Sequence, residues 1–464
     1  MKTSNNSHFS RKIYVLLALL LASVMLVCGC ATEKPDTPDR TGAPETTATA
    51  APTEAPTDAP KVTPTEAPAN IPTDEPTAAP TDAATATPTE APTNTPSPAP
   101  TPSPTSTPAP TPEPTHTPTP APTDDPITPV LIIPGILGSE IENDGVTVWP
   151  IIDTTLDFTN MTAQEQSSIL ITAFTNVSML TLNEDMTENV PLDAVAYTPV
   201  TKALDKGRNI GTLDTYRTLV AAVAKEIGSE NVFFFGYDFR MDIRDTADKL
   251  NTLIENIKAD KNVSKVNIVA HSMGGLVLTS YAKKYGTGSL KQGVLCGSPL
   301  LGSENASLVL QDTDVLLQQL GQGETLPEEF LEFKENEMVR EAISSIVLCA
   351  RSMPSVYAMI PDESFDPSKF TSPAAIKGRE TADYIRKDVV ETLDKTCFSF
   401  IIGTGMDTLA PNGVTNASGD GVVTYESASA NSKLSSRAYT YSNIAHRDLV
   451  SNEECLKDIV SIVT

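Results

Sequence analysis

The stretch KVNIVAHSMGGLVLTSYAKKYG, Lys265 to Gly286, changes its period at a single serine. Val266 to Ala270 is apolar at every position but Asn267, as strands buried on both faces are. From Met273 onward, Leu276, Val277, Tyr281 and Tyr285 supply the apolar side of a helix. A strand that runs into Ser272 and a helix that begins at once require a turn so sharp that the residues two positions away must be small. Ala270 and Gly274 are small, and Gly275 lets the new helix lie close. Such a turn lifts the serine hydroxyl out of the sheet edge and leaves the Met273 N–H, at the positive end of the helix, pointing into the same space. Ser272 is therefore a candidate nucleophile, with alanine where the first glycine of G-x-S-x-G usually stands.

The rest of the chain divides by composition. In Met1 to Gly29, Lys2, Arg11 and Lys12 precede an apolar core from Ile13 to Val27, which reads as an export signal too short for a permanent span. The junction LVCGC resembles a bacterial lipobox and makes Cys30 the candidate lipidated residue. The competing reading is an ordinary secretory signal with incidental cysteines. Residues 30–129 hold 27 of the chain's 38 prolines, and from Ala31 onward they are almost wholly Thr, Pro, Ala, Ser and acid. Such a segment has no core to bury. It reads as a tether which, if extended at about 3.1 Å per residue, reaches on the order of 300 Å. These features place the protein on the extracellular face of the bacterial cell membrane, lipid-anchored, or else secreted.

Residues 130–464 form the working domain. They carry 45 acidic and 27 basic side chains, a balance that argues against nucleic acid as a partner. Cys296, Cys349, Cys397 and Cys455 lie far apart with no pairing of zinc-ligand spacing, so no metal and no cofactor are expected. Short apolar strands alternate with amphipathic helices, the pattern of an α/β fold whose mostly parallel sheet is covered by helices on both faces. Tyr216, Leu219, Val220, Val223 and Ile227 mark one helix, and Ile243, Ala247, Leu250, Ile254 and Ile257 another. NVFFFGYDFR, GVLCGSP, FSFIIGTG and AYTYSNI read as strands. Residues 141–209 and 303–353 break the alternation and are candidate cap or lid insertions. The first carries Trp149, Ile151, Phe174, Met179 and Leu180, enough apolar surface to cover an acyl pocket, although such residues also build ordinary cores.

A serine hydroxyl needs a base within hydrogen-bond reach. The domain has two histidines, His271 and His446, and strand alternation turns the His271 side chain away from its neighbour. His446, on a loop after AYTYSNI and before a terminal helix from Asn452 to Val463, is the candidate base. The acid that orients it should fall between Ser272 and His446 in the chain. Asp420 in SGDGVV, read as a turn leading into a short strand over Val422 to Tyr425, is the first choice; Asp407 in GTGMDTL is the alternative. PVLIIPGILGSEI supplies a second oxyanion donor, the Ile136 N–H, beside that of Met273. One such donor is worth about 3–4 kcal/mol in the transition state. At the end of a strand, Asp238 and Arg240 read as a structural ion pair.

Four blocks in order, VLIIPGILGSE, YDFR, AHSMGG and GDGVV with a late histidine, resemble the lecithin:cholesterol acyltransferase-like α/β-hydrolases. The resemblance covers most of residues 130–464. It implies an α/β-hydrolase fold with cap insertions, Ser272 as nucleophile, Asp420 as acid, His446 as base and the Ile136 and Met273 amides as the oxyanion hole, and it raises Asp420 above Asp407. PSVYAMIP, Pro354 to Pro361, is similar to the segment that follows the cap in bacterial members. The cysteine-closed loop of eukaryotic members has no counterpart, since no cysteine lies between Cys30 and Cys296. The expectation is a monomeric serine esterase or lipase, acyl hydrolase or acyltransferase, acting on lipid or other carboxylic esters. A small-ester carboxylesterase with the same triad and an inactive surface binding module are the alternatives.

Overall fold

The computed structural model describes residues 127–151, 161–314, 337–411 and 414–464. The stretch read as an export signal, Cys30 and nearly all of the segment read as a tether lie outside the described residues, as does the middle of the second insertion. In chain order, β1 (Val130–Ile133) is followed by β2 (Ile141–Asn143), β3 (Val146–Trp149), helix α1 (Ala163–Leu180) and β4 (Asp193–Ala194). Next come α2 (Arg217–Ile227), β5 (Val232–Phe234), α3 (Ile243–Lys261), β6 (Val266–His271), α4 (Met273–Tyr285) and β7 (Leu290–Cys296). After α5 (Glu337–Arg351) the chain forms β8 (Phe398–Thr404), β9 (Met406–Ala410), β10 (Val414–Gly419), β11 (Ala438–Ser442) and α6 (Glu453–Val463).

Six strands form the central sheet in the order β11-β8-β7-β6-β1-β5, every pairing parallel. The two faces are read directly from β1: Leu131 and Ile133 pack into one apolar cluster with α3 and α4, while Val130 and Ile132 pack into another with α2 and α6. All four residues are fully buried. A strand with apolar residues at every position is stable only between two such layers, which is why α/β is the observed class.

The helices end where their chemistry dictates. Gly228, with φ of 82°, closes α2, and Asn262 in the left-handed conformation closes α3. Asp242 caps the start of α3 by accepting from the Arg244 N–H. Among the described residues no helix is long and apolar enough to cross a membrane.

The strand expected over NVFFFGYDFR is shorter. Only Val232–Phe234 is strand; the Phe235 N–H still reaches Ile132 O, but the Tyr237 N–H turns to Ser139 Oγ at 3.0 Å. The stretch beyond it, with Asp238 and Arg240, is instead a buried clamp. The fully buried Arg240 guanidinium bonds Asp238 Oδ1 at 2.9 Å, Asp238 Oδ2 at 2.6 Å, Glu188, and the carbonyl of Leu180 at the end of α1 at 3.2 Å. Burial opposes its charge, yet Asp238 and Glu188 outweigh that and hold its pKa above the ordinary value. Removing one member of such a pair costs about 3–5 kcal/mol. Ser355 Oγ donates to Phe239 O at 2.5 Å, so the segment after the second insertion docks on the same loop.

The described part of the first insertion is a three-stranded antiparallel sheet, β3-β2-β4, with α1, whose Ala173, Val177 and Leu180 join the main core. Helix α5 of the second insertion packs beside α1, and its Ile343, Val347 and Cys349 belong to the same core. All four domain cysteines are free; Cys296, Cys349 and Cys455 are buried.

Candidate active site

The turn at Ser272 has φ of 54° and ψ of −127°, a conformation that non-glycine residues seldom adopt. It persists because both flanks are fixed: the Ser272 N–H donates to Cys296 O at 2.8 Å on the neighbouring strand, and the Gly275 N–H donates to Ser272 O at 2.9 Å in the first turn of α4. Strain of this kind, about 1–3 kcal/mol, is held only where the surroundings over-determine the backbone. Ser272 is 7% exposed at the C-terminal edge of β6.

The loop after β1 lies directly against this serine. A Cβ added to Gly135 would stand 2.7 Å from Ser272 Cβ and 3.3 Å from its Oγ, so only glycine allows the approach. Three side chains hold the loop. Tyr216 Oη accepts from the Gly135 N–H at 2.9 Å, Trp149 Nε1 donates to Leu137 O at 2.8 Å, and Tyr237 Oη donates to Pro134 O at 2.9 Å. Among the described residues neither the Ile136 N–H nor the Met273 N–H is given an acceptor by the fold. Ile136 and Ser272 line the same small cavity.

His446 begins a short 3₁₀ turn after β11, and Asp420 follows β10. The His446 Nδ1–H donates to Asp420 Oδ2 at 2.8 Å, and the His446 backbone N–H donates to Asp420 O at 2.9 Å. Asp420 Oδ1 accepts from the Val422 and Val423 N–H groups at 3.0 and 2.7 Å. This replaces the strand expected over Val422 to Tyr425. An aspartate that bonds the backbone two and three residues ahead draws the chain into a turn, after which Thr424 caps a helical turn over Tyr425–Ala428. Asp407 is exposed on the β9–β10 hairpin opposite Ser418. The geometry thus joins Asp420, not Asp407, to His446. No direct hydrogen bond links Ser272 Oγ to the His446 ring among the described residues.

Strand alternation gives an incomplete account of His271. Its ring makes no bond to Ser272 but lies tilted at 39° to the His446 ring with centroids 4.9 Å apart, and bonds the His446 carbonyl oxygen through Nε2 at 3.1 Å. Its Nδ1 meets Tyr216 Oη at 2.9 Å. Burial, reinforced by the adjacent His446, pushes its pKa down to about 3, so it stays neutral. Tyr216 and His271 are the site residues that sequence reasoning missed. The helical spacing around Tyr216 reads as ordinary core, and the one available signal was the scarcity of histidine.

The pocket bearing Ser272 is lined by Ser303, Asn305 and Val422 among others and shares Ile136, Val309 and Val356 with a larger, partly open apolar pocket. Trp149, Val177 and Leu180 from the first insertion and Ile346, Cys349 and Met353 from the second line the larger one. Among the described residues no cluster of three or more His, Cys, Asp or Glu side chains could hold a metal ion.

The chain matches the family model of the alpha/beta hydrolase fold over residues 207–440. Among solved structures it is similar to the Tle4–Tli4 complex at 13% identity, over 72% of this chain and 98% of that chain, with a TM-score of 0.41. It is also similar to the mature form of Bacillus licheniformis lipase BlEst2 at 12% identity, over 76% and 96% of the two chains, with a TM-score of 0.30. For an esterase from Exiguobacterium antarcticum the identity is 14%, the coverage 53% and 86%, and the TM-score 0.29. No curated protein matches the sequence. These likenesses do not single out an acyltransferase branch.

Proposed function

The chain belongs to the alpha/beta hydrolase fold family, and on that premise we propose that it is a serine ester hydrolase that cleaves esters of apolar acyl chains through an acyl-Ser272 intermediate. One observation carries the reading: the small pocket that holds Ser272 shares its wall with an apolar pocket lined by residues of both insertions. An acyl chain has an apolar wall to lie against while its carbonyl carbon faces the serine.

In this reading Ser272 Oγ bonds to the carbonyl carbon as its proton passes to His446 Nε2. The carbonyl oxygen, now an oxyanion, accepts from the Ile136 and Met273 N–H groups. Collapse breaks the bond to the alcohol oxygen, which leaves with the proton from Nε2. Water then repeats the sequence, giving its proton to His446 and releasing the acid. Asp420 holds the ring with Nδ1–H toward itself, so Nε2 faces the reaction, and balances the charge the ring acquires. The bond from Ser272 to His446, not made in the free protein, is of a kind that often tightens only with substrate bound.

The ordered blocks from VLIIPGILGSE to GDGVV support the lecithin:cholesterol acyltransferase-like branch, and the lipobox at Cys30 supports a lipid anchor on the outer face of the cell membrane. Incorporation of an alkyne fatty acid that is lost in Cys30→Ala tests the anchor. For the chemistry, a fluorophosphonate probe should label Ser272, and p-nitrophenyl esters of rising acyl length should be turned over with increasing kcat/KM beyond butyrate. Labelling with a fall beyond butyrate would leave a small-ester esterase. An unlabelled Ser272 would leave a binding module.

A further inference from the structure

We infer that Tyr216 and His271 are positioning residues that tie the proposed oxyanion loop to the proposed base, so that the two are set as one unit. The inference rests on the roles proposed for Ile136, Ser272 and His446. Four groups distant in the chain form one buried line. The Gly135 N–H donates to Tyr216 Oη at 2.9 Å, Tyr216 Oη lies 2.9 Å from His271 Nδ1, and His271 Nε2 lies 3.1 Å from His446 O.

The direction of each bond follows from the donor inventory. A carbonyl oxygen only accepts, so His271 Nε2 carries the ring proton. Nδ1 is then bare and accepts a hydrogen bond from the Tyr216 O–H, while the Tyr216 oxygen accepts from the Gly135 N–H. A single tautomer satisfies the whole line, and inverting any member leaves two donors or two acceptors facing each other. Tyr216 is 2% exposed, His271 6% and His446 3%, so water has little access to relieve such a mismatch.

The placement gives the line its use. Gly135 precedes Ile136, His271 precedes Ser272, and His446 is held by its own carbonyl, so one end fixes an oxyanion donor and the other fixes the base. Neither Tyr216 nor His271 needs to touch substrate. Neutrality matters as well: the His271 ring lies 4.9 Å, centroid to centroid, from the ring that must become positive during the reaction, and a second positive charge there would oppose that step.

The test begins with fluorophosphonate labelling of the wild-type chain, which checks the reading of Ser272 by itself. Tyr216→Phe removes one oxygen and keeps the ring. It should lower kcat on a p-nitrophenyl ester about tenfold to a hundredfold with KM within twofold, and slow labelling by a similar factor. A residue that merely fills space would leave kcat intact once the variant is folded. In His271→Gln the side-chain amide can donate to His446 O and accept from Tyr216, so it should retain more than a tenth of wild-type kcat, whereas His271→Leu should fall at least tenfold below it. A labelled wild type with unchanged kcat in folded Tyr216→Phe, or equal kcat in His271→Leu and His271→Gln, overturns the relay and leaves the Ser272 reading standing. An unlabelled wild type overturns the reading of Ser272 and the relay with it.

Discussion

His446 Nδ1 lies 2.8 Å from Asp420 Oδ2, and the two side chains are 3% and 2% exposed. The remaining Asp420 oxygen is occupied by two backbone N–H groups. The carboxylate has therefore been taken out of water with a donor at each oxygen, an arrangement that stabilises a charge and fixes a direction at once.

Asp420→Asn should lower kcat about 10³- to 10⁴-fold with little change in KM. The two N–H groups of Val422 and Val423 would claim the amide oxygen, leaving the amide NH₂ facing His446 Nδ1 and forcing the ring into the other tautomer. Initial rates on a soluble ester measure this, and a variant within tenfold of wild type would contradict it.

Gly135→Ala should retain the fold and lose activity. Its Cβ would meet Ser272 Cβ at 2.7 Å, and the loop would have to retreat, carrying the Ile136 N–H with it. The expected fall in kcat is about 10²- to 10³-fold, the cost of losing one oxyanion donor. Unchanged kcat in a folded variant would show that the loop has no part in the chemistry.

The chain's single tryptophan, Trp149, lines the apolar cavity and stands T-shaped to Phe239 with centroids 5.6 Å apart. Occupation of the cavity by a long-chain alkyl sulfonyl fluoride should change intrinsic fluorescence, whereas the methyl analogue should modify Ser272 with a much smaller change. Equal responses to both reagents would argue that acyl chains lie elsewhere.

Stability should fall on the acid side through His271. In the unfolded chain its imidazole binds a proton below about pH 6.5, whereas in the fold it resists protonation until about pH 3. Its contribution is complete above 6.5 and is lost as pH falls toward 3, by roughly 1.4 kcal/mol per unit, or about 2 kcal/mol by pH 5. Tyr216, His446 and Arg447 are the groups that face it. Denaturant unfolding from pH 7 to 5 should show a shallower decline in His271→Gln than in the wild type; parallel curves would mean that His271 charges freely in the fold.

By itself the sequence determined the sheet, the turn at Ser272 and the pairing of apolar faces, because each of these is dictated by neighbours a few positions away: a buried strand must be apolar, a tight turn must be flanked by small side chains. Asp420 and His446 were legible as a chain-order pattern, but that Asp420 and not Asp407 is the carboxylate that meets His446 Nδ1 appears only in space. The same locality misread Val422 to Tyr425, whose β-branched residues favour a strand until the Asp420 side chain captures their N–H groups. Only the tertiary structure decided the roles of Tyr216 and His271, the bond from Trp149 to the loop after β1 and the reach of Arg240 to the end of α1. Their partners stand 81, 175, 12 and 60 positions away, and a hydrogen bond across such a distance leaves no periodicity to read. It exists only once the packing of both sheet faces has excluded water and brought a donor to its acceptor.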